Sequence, residues 1–237
     1  MLTDFLNRLL QLNRPETVEI KNQVFSTERL HLIADSPSVD AIGIHSLTGV
    51  VDYIKSNFDS RSKLLIHIES PTQLRLIDAL DNTNNRRVYL SSEAILPLIV
   101  FDRFIDREQF QIMMQANFVP TPDHITVLDI VSHIHIENGN VELKDNGLTQ
   151  SVTTKAGAAT LSATPIPPKV SLKPFRTFVE VAQPSSDYIL RLNDRGNVAL
   201  YEADGGSWQL EAIENIAEYF KKELEDEINS NNIHVLR

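Results

Sequence analysis

The last fifty residues constrain the fold more than any other stretch. Tyr188–Leu192 and Val198–Tyr201 are two runs of apolar alternation. The loop Asn193-Asp194-Arg195-Gly196-Asn197 between them has the composition of a tight turn, so the pair reads as a hairpin. Glu202-Ala203-Asp204-Gly205-Gly206 then turns the chain into a helix that Ser207 is expected to cap. Ile213, Ile216, Ala217, Phe220, Leu224 and Ile228 recur at helical spacing along it. A hairpin feeding an amphipathic helix needs a layer on which to close, and the rest of the chain supplies strands for one.

Thr3 opens a first helix with Phe5, Leu6, Leu9 and Leu10 on one face, and Pro15 ends it. Thr17 to Phe25 alternates as one strand, Arg29–Ile33 is a second and Ala41–Ile44 a third. Ser46 caps a helix carrying Leu47, Val50, Val51, Ile54 and Phe58. Lys63–Glu69, Gln73–Ala79 and Val88–Leu90 are further strands, with turn chemistry at 81–85 between the last two. Residues 92–134 read as mostly helical. Asp106 caps a run with Phe110, Met113, Met114 and Phe118. Pro120 and Pro122 break it, and Thr121 or Asp123 caps a second run through Ile125, Leu128, Val131 and Ile134. Turns at 138–140 and 145–147 flank Val141–Lys144 and Leu148–Lys155, and Pro165, Pro167 and Pro168 mark an extended connection. A last strand, Ile233–Leu236, returns to a sheet edge.

The expected fold is α+β: a curved, mainly antiparallel sheet with helices packed on one side and a long C-terminal amphipathic helix. An N-terminal α+β region, 1–135, and a β-rich C-terminal region, 136–237, are the expected divisions, compatible with a single domain.

Composition excludes several functions. The net charge is −10, and a nucleic-acid binder needs a basic footprint to displace counterions. From Glu202 to Ile228 there are nine acids against Lys221 and Lys222, which is −7 of that total. With no cysteine, disulfides, thiolate metal sites and a Cys nucleophile are ruled out. No apolar run approaches the ~20 residues of a membrane span. A cytoplasmic, non-membrane protein is expected.

Pro122-Asp123 followed by Glu142-Leu143-Lys144 matches the PD-(D/E)xK signature of metal-dependent nucleases. There Asp123 and Glu142 would hold a divalent cation and Lys144 would orient the attacking water. The opposing reading is a helix cap and two exposed strand residues. His133 and His135 are spaced to share one face of a strand, with His124 able to join them. The glycine pair before the last helix could offer N–H groups to an anion, although Glu202 and Asp204 would repel it. In Lys173-Pro174-Phe175-Arg176-Thr177-Phe178, the cations Lys173 and Arg176, with Arg191, could hold a small phosphorylated ligand. Alternatively, Arg176 pairs with Glu180 or Glu202 while the Phe residues enter the core.

The strings DNGLTQSVTTKAG (145–157), LKPFRTFVEVAQP (172–184) and ALYEADGGSW (199–208) resemble an uncharacterised group of tailed-phage and prophage proteins, the YfdQ-like family. That resemblance implies a phage product acting in the infected bacterial cytoplasm and brings no catalytic residues with it. The expected function is therefore an accessory role by binding: self-association into a homo-oligomer and engagement of a phage or host protein, without catalysis or cofactor. The nuclease, with its divalent metal, and a sponge for a phosphorylated signal are the alternatives.

Overall fold

The computed structural model describes residues 3, 5, 17–20, 23–26, 40–59, 63–80, 85–135, 141–155 and 161–237. The chain forms two units, 1–39 and 40–237.

In the first unit Thr3 and Phe5 are helical, and the rest of the predicted first helix lies outside the described residues. Strand β1 (Thr17–Ile20) pairs antiparallel with β2 (Gln23–Ser26), Thr17 opposite Ser26. The single strand expected over Thr17 to Phe25 is therefore a hairpin. Apolar alternation carries on through a two-residue connection and cannot mark the reversal. The predicted strand Arg29–Ile33 lies outside the described residues.

The second unit is an α+β assembly around two apolar cores. Its five-stranded sheet has the order β14-β4-β5-β6-β3, with β3 at Ile42–Ile44, β4 at Leu64–Ser70, β5 at Gln73–Asp78, β6 at Val88–Glu93 and β14 at Ile233–Leu236. The inner pairings are antiparallel, and β3 and β14 join the edges in parallel. Alternation along β4 buries Leu64, Ile66 and Ile68 and leaves Leu65 half-exposed. Helix α1 (Leu47–Ser56) contributes Leu47, Val50 and Val51 to the same core. Ser46 caps it as expected, its Oγ accepting from the Gly49 N–H at 3.1 Å. Asn57, left-handed at φ 49°, closes it. Phe58 therefore falls past the helix end and is exposed, not part of the stripe.

The second core lies under helices α2 (Arg107–Asn117) and α3 (Pro122–Ser132). Asp106 caps α2, its Oδ1 accepting from Glu108 N at 2.8 Å and Gln109 N at 3.4 Å. Phe118 leaves the helix for the two-residue strand β7 (Phe118–Val119). Thr121 caps α3, with Pro122 in its first turn. The buried residues of α3 are His124, Val127, Ile130 and Val131, while the predicted stripe member Ile125 is exposed. The apolar run offers two overlapping stripes, and packing selects the one led by Val127. Residues 94–106 are not helical, contrary to the expected 92–134 run.

This core is floored by the sheet β13-β12-β11-β7, with β11 at Val170–Pro174, β12 at Ser186–Leu192 and β13 at Val198–Glu202. The β12–β13 hairpin forms as expected, with Tyr188 opposite Glu202. A three-stranded antiparallel sheet, β10-β9-β8, adjoins it. Its strands are β8 (Leu143–Asp145), β9 (Gln150–Lys155) and β10 (Leu161–Ile166). Here Pro165 is not in a connection: it lies within β10, on the sheet edge, where its missing N–H costs no ladder bond.

Helix α4 (Trp208–Glu223), the longest among the described residues, buries Ile216, Ala217 and Phe220 against the first core. The short α5 (Glu225–Asn229) follows it, and β14 returns to the sheet edge beside β4. Elements from either side of residue 135 share sheets: β14 with β4, and β11 with β7.

Candidate functional site

The most concentrated polar chemistry among the described residues surrounds Arg176. Between β11 and β12 the chain passes from one core to the other, with Leu172 in the second core and Phe178 in the first. Gln183, itself buried, ties this loop: its Oε1 accepts from the N–H groups of Arg176 (3.0 Å) and Thr177 (3.3 Å). Its Nε2 donates to the carbonyls of Phe178 (3.0 Å) and Val181 (3.3 Å). Thr177 is fully buried and donates through Oγ1 to the Pro71 carbonyl at 2.5 Å. These bonds satisfy backbone groups that a buried loop would otherwise leave orphaned.

The same loop sends the Arg176 guanidinium inward. Nη1 donates to the Tyr188 hydroxyl and to Glu202 Oε1, both at 3.0 Å. Nη2 donates to Ser186 Oγ, and that hydroxyl donates to Asp204 Oδ2. The guanidinium carbon lies 3.9 Å from the centre of the Trp208 ring, a cation–π contact. Burial pulls the guanidinium below its ordinary value, while Tyr188, Glu202, Asp204 and Glu211 act to hold its proton. Burial also raises Tyr188 well above the usual phenol range, so its hydroxyl stays neutral.

Asp204 links this network to α4. Burial acts to raise its pKa, but the Ser186 hydroxyl, the Gly206 N–H, the Arg176 charge and the Trp208 N–H together hold it below 3.8. Gly206 N–H donates to Oδ1 at 3.0 Å. Ser207 makes no side-chain cap bond, contrary to expectation; Asp204 instead ties the turn ahead of the helix. Gly205 and Gly206, at φ 63° and 81°, let the chain bend back over its own carboxylate. The glycine pair thus presents an N–H to an internal anion.

Of the two carboxylates expected to compete for Arg176, Glu202 takes it. Glu180 instead sits at the start of α1, where its Oε1 accepts from Leu47 N at 2.8 Å and Thr48 N at 3.5 Å. A carboxylate there meets the positive end of the helix. The other two expected ligand cations lie elsewhere. Lys173 is half-buried on β11, opposite Val119. Arg191 on β12 donates through Nη2 to the Leu148 carbonyl at 3.4 Å and adds its charge to those holding Asp145 ionised. That Asp145 shift comes first from the Gly147 N–H in the 145–147 turn.

Asp123 lies in the first turn of α3, its Oδ2 accepting from Ser171 N at 2.7 Å. Glu142 precedes β8, and its Oε2 accepts from Thr153 Oγ1 at 3.3 Å. Lys144 is exposed on β8, opposite Ser151. Each of the two carboxylates thus has its own partner. Among the described residues no three His, Asp or Glu side chains are grouped to hold a metal ion. His133 and His135 do not share a strand face: His133 is the C-cap of α3, and His135 N–H bonds the Thr153 carbonyl at 3.0 Å. His124 is buried, its Nε2 3.0 Å from the Met114 carbonyl.

Two depressions have a lining suited to contact with another molecule. One, of about 260 Å³, lies between the end of α1 and α5, lined by Tyr53, Phe58, Glu227 and Asn232 among others. The second, about 510 Å³, has Lys144, Asp145 and Gln150 on one wall and Pro165, Pro167 and Pro168 on the other. Among the described residues the longest run of exposed apolar residues is Ile95-Leu96-Pro97-Leu98, between β6 and α2. Ile95 is 72% and Leu98 86% exposed. The run is anchored at both ends: Ala94 N–H donates to the Thr72 carbonyl at 2.9 Å, and Asn117 Nδ2 donates to the Leu98 carbonyl at 3.3 Å. Sequence reasoning missed this run because it assigned the segment to a helix. Its four consecutive apolar or proline residues were the available signal.

No family model, no curated protein and no solved structure matches the chain. No helix among the described residues is long and apolar enough to cross a membrane.

Proposed function

We propose that the protein works by binding, as a self-associating accessory protein of a phage acting inside the infected cell. The observation that carries this reading is the exposed run Ile95–Leu98. Consecutive exposed apolar residues favour aggregation unless a partner surface covers them. Both ends of this run are hydrogen-bonded to the body of the unit, so the segment is presented in a fixed conformation. Presenting apolar side chains without an ordering penalty favours association. A second copy of the chain is the occupant, and an apolar segment of a phage or host protein would use the same chemistry. The phage assignment is supported by the three resembling strings.

The Arg176 cluster enters this reading as architecture. Its guanidinium already has a hydroxyl, a carboxylate, a second hydroxyl and an aromatic face as partners, which disfavours its use as a ligand cation. Light scattering of the full chain at micromolar concentration tests the proposal: a mass above that of one chain is expected. The double variant Ile95→Lys, Leu98→Lys is expected to lower that mass to a single chain without lowering the melting temperature. Unchanged association in the double variant would remove Ile95–Leu98 from the interface.

A further inference from the structure

We infer that the open edge of β14 is a docking site for an extended, cationic segment of a partner protein, which adds to the five-stranded sheet as a further strand. This surface is separate from Ile95–Leu98 and does not depend on self-association.

β14 ends its sheet, and among the described residues no strand pairs with its other side. Ile233 stands opposite Leu64 in the parallel pair with β4, and Leu64 N–H donates to the Asn232 carbonyl at 2.9 Å. Backbone groups of successive strand residues point to opposite sides of the strand. The groups of His234 therefore face β4, and the N–H and C=O of Ile233 and Val235 face outward, where no described backbone group meets them. Two other edges of the second unit are protected. Val198 of β13 exchanges backbone bonds of 2.9 and 3.0 Å with Ile105. β10 carries Pro165, which has no N–H to offer. β14 has neither device.

The charges around this edge select the occupant. Glu225, Asp226 and Glu227 form the first turn of α5, and Asn232 N–H donates to the Glu227 carbonyl at 3.0 Å, which folds that turn back beside the start of β14. Glu227, Asn232, Ile233 and Asp59 line the depression of about 260 Å³ at this end. Asp59 accepts from the Tyr53 hydroxyl, and no described cation pairs with Glu225, Asp226 or Glu227. Lys55 and Lys63 are the exposed cations nearby in the fold, and neither forms an ion pair among the described residues. The carboxylates outnumber them, on a chain of net charge −10, which favours a cationic partner. A second copy would bring its own Arg237 to this end, but Glu214 already holds that guanidinium. At the far end Leu236 is 49% exposed and offers apolar contact. A segment with lysine or arginine beside Ile233 and an apolar residue beside Leu236 meets both features. Those two positions lie on opposite faces of the added strand, as alternation requires. Main-chain bonds to Ile233 and Val235 then supply affinity, and the two side chains supply selectivity.

The test uses the full chain labelled for amide NMR and an end-blocked octapeptide of alternating lysine and valine. A saturable shift of the Ile233 and Val235 amides is expected, with slower hydrogen exchange at both N–H groups. The same peptide methylated at every backbone nitrogen keeps its charge and loses strand pairing. A glutamate–valine peptide keeps the pairing and reverses the charge. Each is expected to bind about tenfold or more weakly. Val235→Pro removes an outward N–H and no bond to β4, and is expected to weaken binding by the same factor. Absence of a saturable shift at millimolar peptide, or equal binding of the methylated peptide, would overturn the assignment. So would protection of the Ile233 and Val235 amides that rises with protein concentration in the free chain, because a second copy would then occupy the edge.

Discussion

At the scale of single residues, the structure turns on how one buried cation is satisfied. Arg176 is 7% exposed, and a charge so placed needs partners: both terminal nitrogens are hydrogen-bonded, while the buried Nε has no hydrogen-bond partner. Tyr188, fully buried, supplies an acceptor at 3.0 Å and stacks its ring on Phe101, with centroids 5.3 Å apart. Tyr188→Phe keeps the ring and removes the acceptor. Equilibrium urea unfolding should then show a loss of about 1.5–3 kcal/mol, the usual cost of a hydrogen bond to a charged group. Asp204 makes a pH-dependent contribution. Its folded-state pKa lies below 3.8, so the stabilisation is fully present above the unfolded value. It declines as pH falls below that value and is gone once the pH passes the folded one. Asp204→Ala should therefore cost about 1 kcal/mol at neutral pH through loss of its bonds to the Ser186 hydroxyl and the Gly206 N–H. The gap between variant and parent should close in strong acid. A gap that persisted unchanged there would assign the effect to packing.

At the scale of elements, the loop from Phe175 to Pro184 joins the two cores, and Phe178 is its apolar anchor, 1% exposed. Phe178→Ala should destabilise the protein by about 3–5 kcal/mol, read from chemical unfolding. A value near zero would mean that the loop is held by Gln183 and Thr177 alone. Much of this level was legible beforehand. The caps at Ser46, Asp106 and Thr121, the β12–β13 hairpin and the stripe of α4 follow from local chemistry, and local chemistry is what a sequence displays. Side chains whose partners are distant in sequence were less legible. The Arg176–Glu202 pair was one of two readings, and only the register of β12 with β13 brings Glu202 beside Tyr188 and hence beside Arg176. Of the stripe expected on α3, Val131 and Ile134 are buried and Leu128 packs against the core, and only Ile125 is misplaced, because Ile125 and Val127 both fit helical spacing. Pro165 was read as a breaker because an edge position cannot be recognised from the strand itself.

At the scale of the whole molecule, the net charge of −10 opposes close approach of two copies at low salt, and apolar contact must outweigh it. Association through Ile95–Leu98 should therefore strengthen as salt screens that repulsion. The most direct measurement is the solution mass of the unmodified chain by light scattering across micromolar concentrations. Self-association predicts a mass that is a multiple of 26.8 kDa, rising with protein concentration or already constant at the multiple. A mass of 26.8 kDa throughout that range would contradict the account.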